Sequence, residues 1–147
     1  ARGAGQGACS AGASAGAVVL GADTDVVLEG RILGKPADAA DAAAMLAALS
    51  ARTHQVISAV VVVQGDRCEQ QLTCTEIDFI RLSAEQIAAY VASGEPMGKA
   101  GAYGIQGGAA RFVRSVRGSY TGVVGLPMAE TCELLAAFGI TPSGPAQ

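Results

Sequence analysis

The sequence predicts an α/β fold. Runs rich in Val and Ile alternate along the chain with segments of helical spacing, and turn residues punctuate both. One long pair of β-branched runs, 54–64 and 68–81, reads as a hairpin. Three segments, starting near residues 39, 84 and 128, read as helices, the first two with caps and the third opened by Pro127. At 147 residues the chain is long enough for one domain and too short for two of ordinary size.

Taken in order, residues 1–16 are low-complexity Ala, Gly and Ser and predict a frayed segment. Ala17 to Gly21 is a continuous apolar run, expected as a buried strand that ends at Asp23 and Thr24. Val26–Leu28 and Ile32–Leu33 flank Glu29-Gly30-Arg31 as a small hairpin. Gly34-Lys35-Pro36 breaks the pattern. Asp38 suits a helix cap for residues 39–51, with Met45, Leu46 and Leu49 at helical spacing. Residues 54–64 and 68–81 form the long hairpin about Gly65-Asp66, the second run alternating Thr73, Thr75, Ile77 and Phe79 against Leu72, Cys74, Glu76 and Asp78. Ser83 and Gln86 have capping-box spacing for a helix to about Val91. Residues 93–110 predict a long Gly-rich loop, of a length that is usually functional or mobile. A strand is expected over 112–116 and a second Gly-rich turn over 118–126. Pro127 then opens a helix that Gly139 stops, and residues 141–147 form a loose tail.

Composition excludes several classes. Half the chain is hydrophobic, but 30 of those residues are Ala. The core therefore rests on 14 Val, 10 Leu and 7 Ile, with six aromatics and no Trp. The longest strongly apolar stretch runs from Val56 to Val63, against about twenty residues for a membrane helix. No charged region followed by an apolar one suggests a secretory signal. A net charge of −3 argues against general nucleic-acid binding. Cys9, Cys68, Cys74 and Cys132 fit no zinc pattern and read as small half-buried residues in a reduced compartment. His54 is the one histidine, which leaves little for a Ser–His–Asp scheme. The glycines at 30 and 34 are too close for a P-loop, and Gly118–Gly122 has the wrong order for a nucleophile elbow. Arg111, Arg114 and Arg117 read as a solvated rim.

The cations are unusual: eight are Arg and two are Lys, Lys35 and Lys99. Both lysines fall on glycine-containing loops, where compact ammonium groups suit phosphate oxygens; the alternative is two surface lysines. Asp23 suits a general base or a metal ligand, or else a turn cap. The Gln106 amide offers a donor and an acceptor to a base edge, or is a polar loop residue.

Five ordered blocks then resemble one family. They are Gly21-Ala-Asp-Thr24, Gly34-Lys-Pro36, Ser50-Ala-Arg-Thr-His54, Lys99-Ala-Gly-Ala-Tyr-Gly-Ile-Gln-Gly107 and Gly118-Ser-Tyr-Thr-Gly-Val-Val-Gly-Leu-Pro127. This order is similar to that of Maf proteins, nucleoside triphosphate pyrophosphatases first named as septum-formation inhibitors. The resemblance runs from about Ala17 to Ile140. It implies one cytoplasmic domain over 1–147, an often dimeric two-lobed enzyme whose mixed sheet is flanked by helices. The implied reaction splits the bond between α- and β-phosphates with a divalent metal, Mg or Mn. By the same resemblance Asp23 is the proton acceptor and metal ligand, Lys35 and Lys99 contact phosphate, and Thr24 and Gln106 bear on base choice. Asp-Thr with Tyr-Gly-Ile-Gln-Gly resembles the branch acting on dTTP and UTP; the branch preferring 7-methyl-GTP differs there. The expected partner is the nucleotide, with neither nucleic acid nor membrane. The family's opening strand and Ser-Pro-Arg-Arg phosphate loop have no counterpart here. The expectation is a family member lacking its N-terminal portion, with weaker charge stabilisation at phosphate. The alternative is a non-catalytic member that binds nucleotide or a cell-division partner.

Overall fold

The computed structural model describes residues 16–141. Five strands form one sheet: β1 (Val19–Leu28), β2 (Arg31–Leu33), β3 (Thr53–Gln64), β4 (Arg67–Phe79) and β5 (Val113–Arg117), in the order β2-β1-β3-β4-β5. The helices are α1 (Ala39–Leu49), α2 (Ala84–Ala92), α3 (Tyr120–Val124) and α4 (Met128–Ala137), with single 3-10 turns at Ala100–Ala102 and Gly108–Phe112. The α/β expectation of a sheet flanked by helices holds, but where the resemblance implied a mixed sheet every described strand pairing is antiparallel, because β1, β3 and β4 are joined to their neighbours as hairpins or antiparallel ladders. The segments expected to be frayed (1–16) and loose (141–147) lie outside the described residues, except at Gly16 and Thr141.

The long hairpin forms as expected. Twelve register pairs join β3 to β4, from Thr53↔Asp78 to Gln64↔Arg67, closed by the two-residue loop Gly65-Asp66. The small hairpin turns through Glu29 and Gly30, both at positive φ (50° and 80°), as the tightest hairpin turns require.

One boundary differs. The apolar run at 17–21 is neither a separate strand nor buried: Val19 is 47 % and Leu20 39 % exposed. The strand continues through Asp23 and Thr24 to Leu28, because nine consecutive positions of β1 pair with β3. That ladder overrides the poor strand preference of Asp. The second Gly-rich turn also differs, since α3 forms within it, its first turn capped by the Ser119 hydroxyl, which accepts from Gly122 N at 3.0 Å.

One face of the sheet carries the core. From β1 come Val26 and Leu28, from β3 His54, Val56, Ser58 and Val60, and from β4 Thr75, Ile77 and Phe79, all buried. Helix α1 is capped by Asp38, which accepts from Asp41 N at 2.8 Å, and lays the fully buried Ala42, Leu46 and Leu49 on that face. Helix α2 begins with the complete Ser83/Gln86 capping box. At the other end of the sheet Leu134 of α4 meets Val60 and Val62 in a smaller cluster. Arg111, Arg114 and Arg117 are exposed, and Arg117 pairs with Asp78 at 2.6 Å. Cys74 and Cys132 are free thiols, whereas Cys68 is disulfide-bonded, against the expectation of reduced cysteines throughout.

Leu46 is fully buried in the main core, so Leu46→Ala leaves a cavity there. The expected loss is about 2–5 kcal/mol of unfolding free energy, read as a lower urea midpoint with an unchanged slope.

Candidate functional site

A cavity of about 400 Å³ opens beside β1, within the range of small-molecule sites. Its floor is Val26 and Val56, side by side on the core face of the sheet. Thr24 extends that row. Lys35 enters from the β2–α1 connection, the segment 99–107 forms one wall, and Val123, Val124 and Gly125 close the far side. Of the residues predicted from sequence, Thr24, Lys35, Lys99 and Gln106 line this one cavity.

Asp23 does not line it. Side chains alternate along a strand, so Asp23 projects from the face opposite Thr24, and it is exposed. Strand β2 pairs only with Val26–Leu28. Among the described residues β1 is therefore an open edge at Asp23 and Thr24, and the two faces meet there.

The segment carrying Lys99 and Gln106 is held tightly. Gly101 N donates to Gly34 O at 3.1 Å, tying this wall to the loop of Lys35. Gly101 adopts φ +70°, and a Cβ there would lie 2.8 Å from Val26 Cγ1. The left-handed pair continues at Ala102 (φ 65°), which delivers Tyr103 into the core. Lys99 is exposed; its Nζ donates to Glu95 O at 2.9 Å, and its stem crosses Gly104, where a Cβ would come within 3.0 Å of Cε.

Glu95 was not singled out by its sequence. It is the carboxylate of the cavity wall. The Tyr90 hydroxyl donates to its Oε2, and Gly108 N donates to Oε1 at 3.0 Å. The Tyr90 bond first, then Gly108 N, hold its pKa below the usual carboxylate value, so it stays ionised. Tyr90 responds in the opposite sense, raised by burial and then by this bond. A Cβ at Gly107 would fall 2.1 Å from Glu95 Oε1, so the carboxylate occupies space that only glycine leaves. Two lysines against one carboxylate leave the lining with a positive balance, suited to an anion.

Tyr103, another lining residue that spacing did not mark, is anchored from below. His54 is fully buried, and its Nε2 lies 2.6 Å from the Tyr103 hydroxyl. Its ring meets Phe79 and Tyr103 edge-on, with centroids 5.0 and 5.5 Å apart. Burial lowers the His54 pKa to about 4, and Asp78 opposes this only partly. The single histidine is therefore neutral at pH 7, a structural pin under the cavity wall.

Among the described residues no group of three or more His, Cys, Asp or Glu is placed to hold a metal ion. No described helix is long and apolar enough to cross a membrane. Fold and site together define an antiparallel α/β protein with a cation-lined cavity at a sheet edge. The chain belongs to the Maf-like protein family, which it matches over residues 4–138. It is 60 % identical over 124 residues to a dTTP/UTP pyrophosphatase of Xanthomonas oryzae pv. oryzae (strain MAFF 311018), covering 84 % of this chain and 65 % of that one. It is 56 % identical over 121 residues to a dTTP/UTP pyrophosphatase of Aromatoleum aromaticum, covering 82 % and 59 %. A nucleoside triphosphate pyrophosphatase of Xylella fastidiosa (strain M23) is 60 % identical over 121 residues, covering 82 % and 64 %. The chain thus spans less than two thirds of the length of these relatives.

His54 makes stability pH-dependent. Its folded pKa, about 4, is below the ordinary 6.5, so its contribution is complete above pH 6.5 and is lost as pH falls towards 4. Over that interval the protein should lose about 3 kcal/mol more than His54→Gln does, measured by urea titration at each pH.

Proposed function

We propose that the cavity binds the pyrimidine nucleoside triphosphates dTTP and UTP, and that the chain hydrolyses them to the monophosphate and pyrophosphate. The observation that carries this reading is that Thr24, Lys35, Lys99 and Gln106 converge on one cavity. Lys35 and Lys99 supply compact positive charge for phosphate oxygens, while Thr24 and Gln106 offer polar contacts to a base. The names of the Xanthomonas and Aromatoleum relatives support the choice of substrate.

In the proposed reaction a water oxygen attacks the α-phosphorus and the bond to the bridging α–β oxygen breaks. Pyrophosphate leaves with the bonding electron pair. Asp23 accepts the proton of the water. Its carboxylate is exposed on the face of β1 opposite Thr24, and in this proposal the triphosphate passes round the part of β1 that β2 leaves uncovered among the described residues. The lysines offset the charge that builds on the departing phosphates.

The described residues form no closed metal site. Asp23 lies outside the cavity, and both oxygens of Glu95 are engaged by Tyr90 and Gly108. Mg²⁺ or Mn²⁺ belongs to the proposal as a companion of the triphosphate, whose oxygens ligate it. A cytoplasmic location belongs to it equally.

The test is pyrophosphate release from dTTP, UTP and 7-methyl-GTP, with Mg²⁺ or Mn²⁺. Lys35→Met and Lys99→Met should each lower kcat/KM by roughly 10²-fold. Asp23→Asn should lower kcat by roughly 10²–10⁴-fold while calorimetric binding of dTTP persists. Equal rates in Asp23→Asn and wild type would sink the catalytic assignment. Binding without turnover in the wild type would favour a non-catalytic nucleotide-binding role.

A further inference from the structure

Thr24 on β1 pairs directly with Ser58 on β3. Ser58 is completely buried, and its hydroxyl is hydrogen-bonded to the Gly122 carbonyl. A carbonyl oxygen has only lone pairs, so the proton in that bond is the one on Ser58. Ser58 Oγ therefore turns lone pairs towards Thr24 Oγ1, 3.0 Å away. The other neighbour of Thr24 Oγ1 is the Gly125 carbonyl at 3.4 Å, again purely an acceptor. Whichever oxygen receives it, the Thr24 proton stays on the protein. Towards the cavity that it lines, Thr24 offers a lone pair.

We infer that Ser58 fixes the proton direction of the Thr24 hydroxyl, making that position an acceptor that selects a base with a ring N–H. This rests on the proposed placement of the base near Thr24 and Gln106. Uracil and thymine carry a proton on N3, whereas cytosine presents a lone pair there. Two facing lone pairs leave both groups unsatisfied in a partly dry cavity. Gln106 does not impose this choice, because its amide both donates and accepts and can turn over. Ser58 is a positioning residue acting through Thr24.

The experiment compares kcat/KM and calorimetric binding for UTP and CTP in the wild type, Ser58→Ala, Ser58→Thr and Thr24→Ala. Removing the Ser58 hydroxyl leaves Thr24 only the longer contact to the Gly125 carbonyl, 3.4 Å away, which N3 of cytosine outcompetes, so Thr24 turns to donate to it. The UTP/CTP ratio should fall by roughly tenfold in Ser58→Ala, through a gain on CTP. Ser58→Thr, which keeps the hydroxyl, should restore the ratio. In the Thr24→Ala background Ser58→Ala should change the ratio no further. Should Ser58→Ala fail to fold, 3-methyl-UTP on the wild type reads the same contact, and the missing N3 proton should cost roughly tenfold against UTP. An unchanged ratio in folded Ser58→Ala, or equal use of 3-methyl-UTP and UTP, overturns the inference. A wild type that binds neither triphosphate overturns the functional reading. The proton direction is then judged by carbonyl ¹³C shifts: Ser58→Ala should move Gly122 upfield, and no movement overturns it.

Discussion

The register of β1 on β3 decides which side chains the cavity receives. Val26 pairs with Val56 and Thr24 with Ser58, so the core-facing row of one strand lies beside that of the other. A one-residue slip would exchange every face, placing Asp23 and Asp25 over the core and Thr24 outside it. The buried Val56 and Val60, on either side of Ser58, make that slip prohibitive. Hydrophobic burial thus fixes the orientation of a polar site. The apolar floor and the Thr24 hydroxyl are two results of one alignment.

The second wall depends on a different device. It is a glycine-rich loop whose regular structure is the single 3-10 turn at Ala100–Ala102, and three side chains seize it. Tyr90 and Glu95 grip its backbone at Gly104 and Gly108. His54 grips Tyr103. The glycines at 101, 104 and 107 leave space already taken by Val26, Lys99 and Glu95. The composition reads as a long Gly-rich loop, functional or mobile, and its glycine spacing serves close approach. Side chains touching bare backbone hold this wall, which places Lys99 and Gln106 with only a 3-10 turn between them.

Much of this architecture was legible in advance. The two hairpins, the Asp38 cap and the Ser83/Gln86 capping box follow from turn and capping chemistry acting over a few residues. Local patterns failed where long-range pairing won: β1 runs through Asp23 because β3 lies beside it. They failed again at α3, where the Ser119 cap was concealed among glycines. Of the candidate site, Thr24, Lys35, Lys99 and Gln106 were legible through their motifs, and the cavity gathers all four. Glu95 was not, since its partners Tyr90 and Gly108 lie five residues before it and thirteen after it. Ser58 did leave a trace. It is a lone hydroxyl in a valine-rich run, with the same parity as Val56 and Val60, and a buried hydroxyl there must find a partner.

The stretch of β1 that β2 leaves uncovered among the described residues also constrains the shape of anything that uses both of its faces. Thr24 and Asp23 are neighbours in sequence, yet a sheet one strand thick separates their side chains. A flat, rigid molecule seated against Thr24 ends at the strand. Touching the carboxylate behind it demands a ligand with a joint, one that lies flat at one end and bends through freely rotating bonds at the other. A planar ring carrying a chain of phosphate ester and anhydride linkages has that build, and a planar ring alone does not. On the proposed reading, selection at this edge is partly mechanical: it favours hinged molecules before any hydrogen bond is counted.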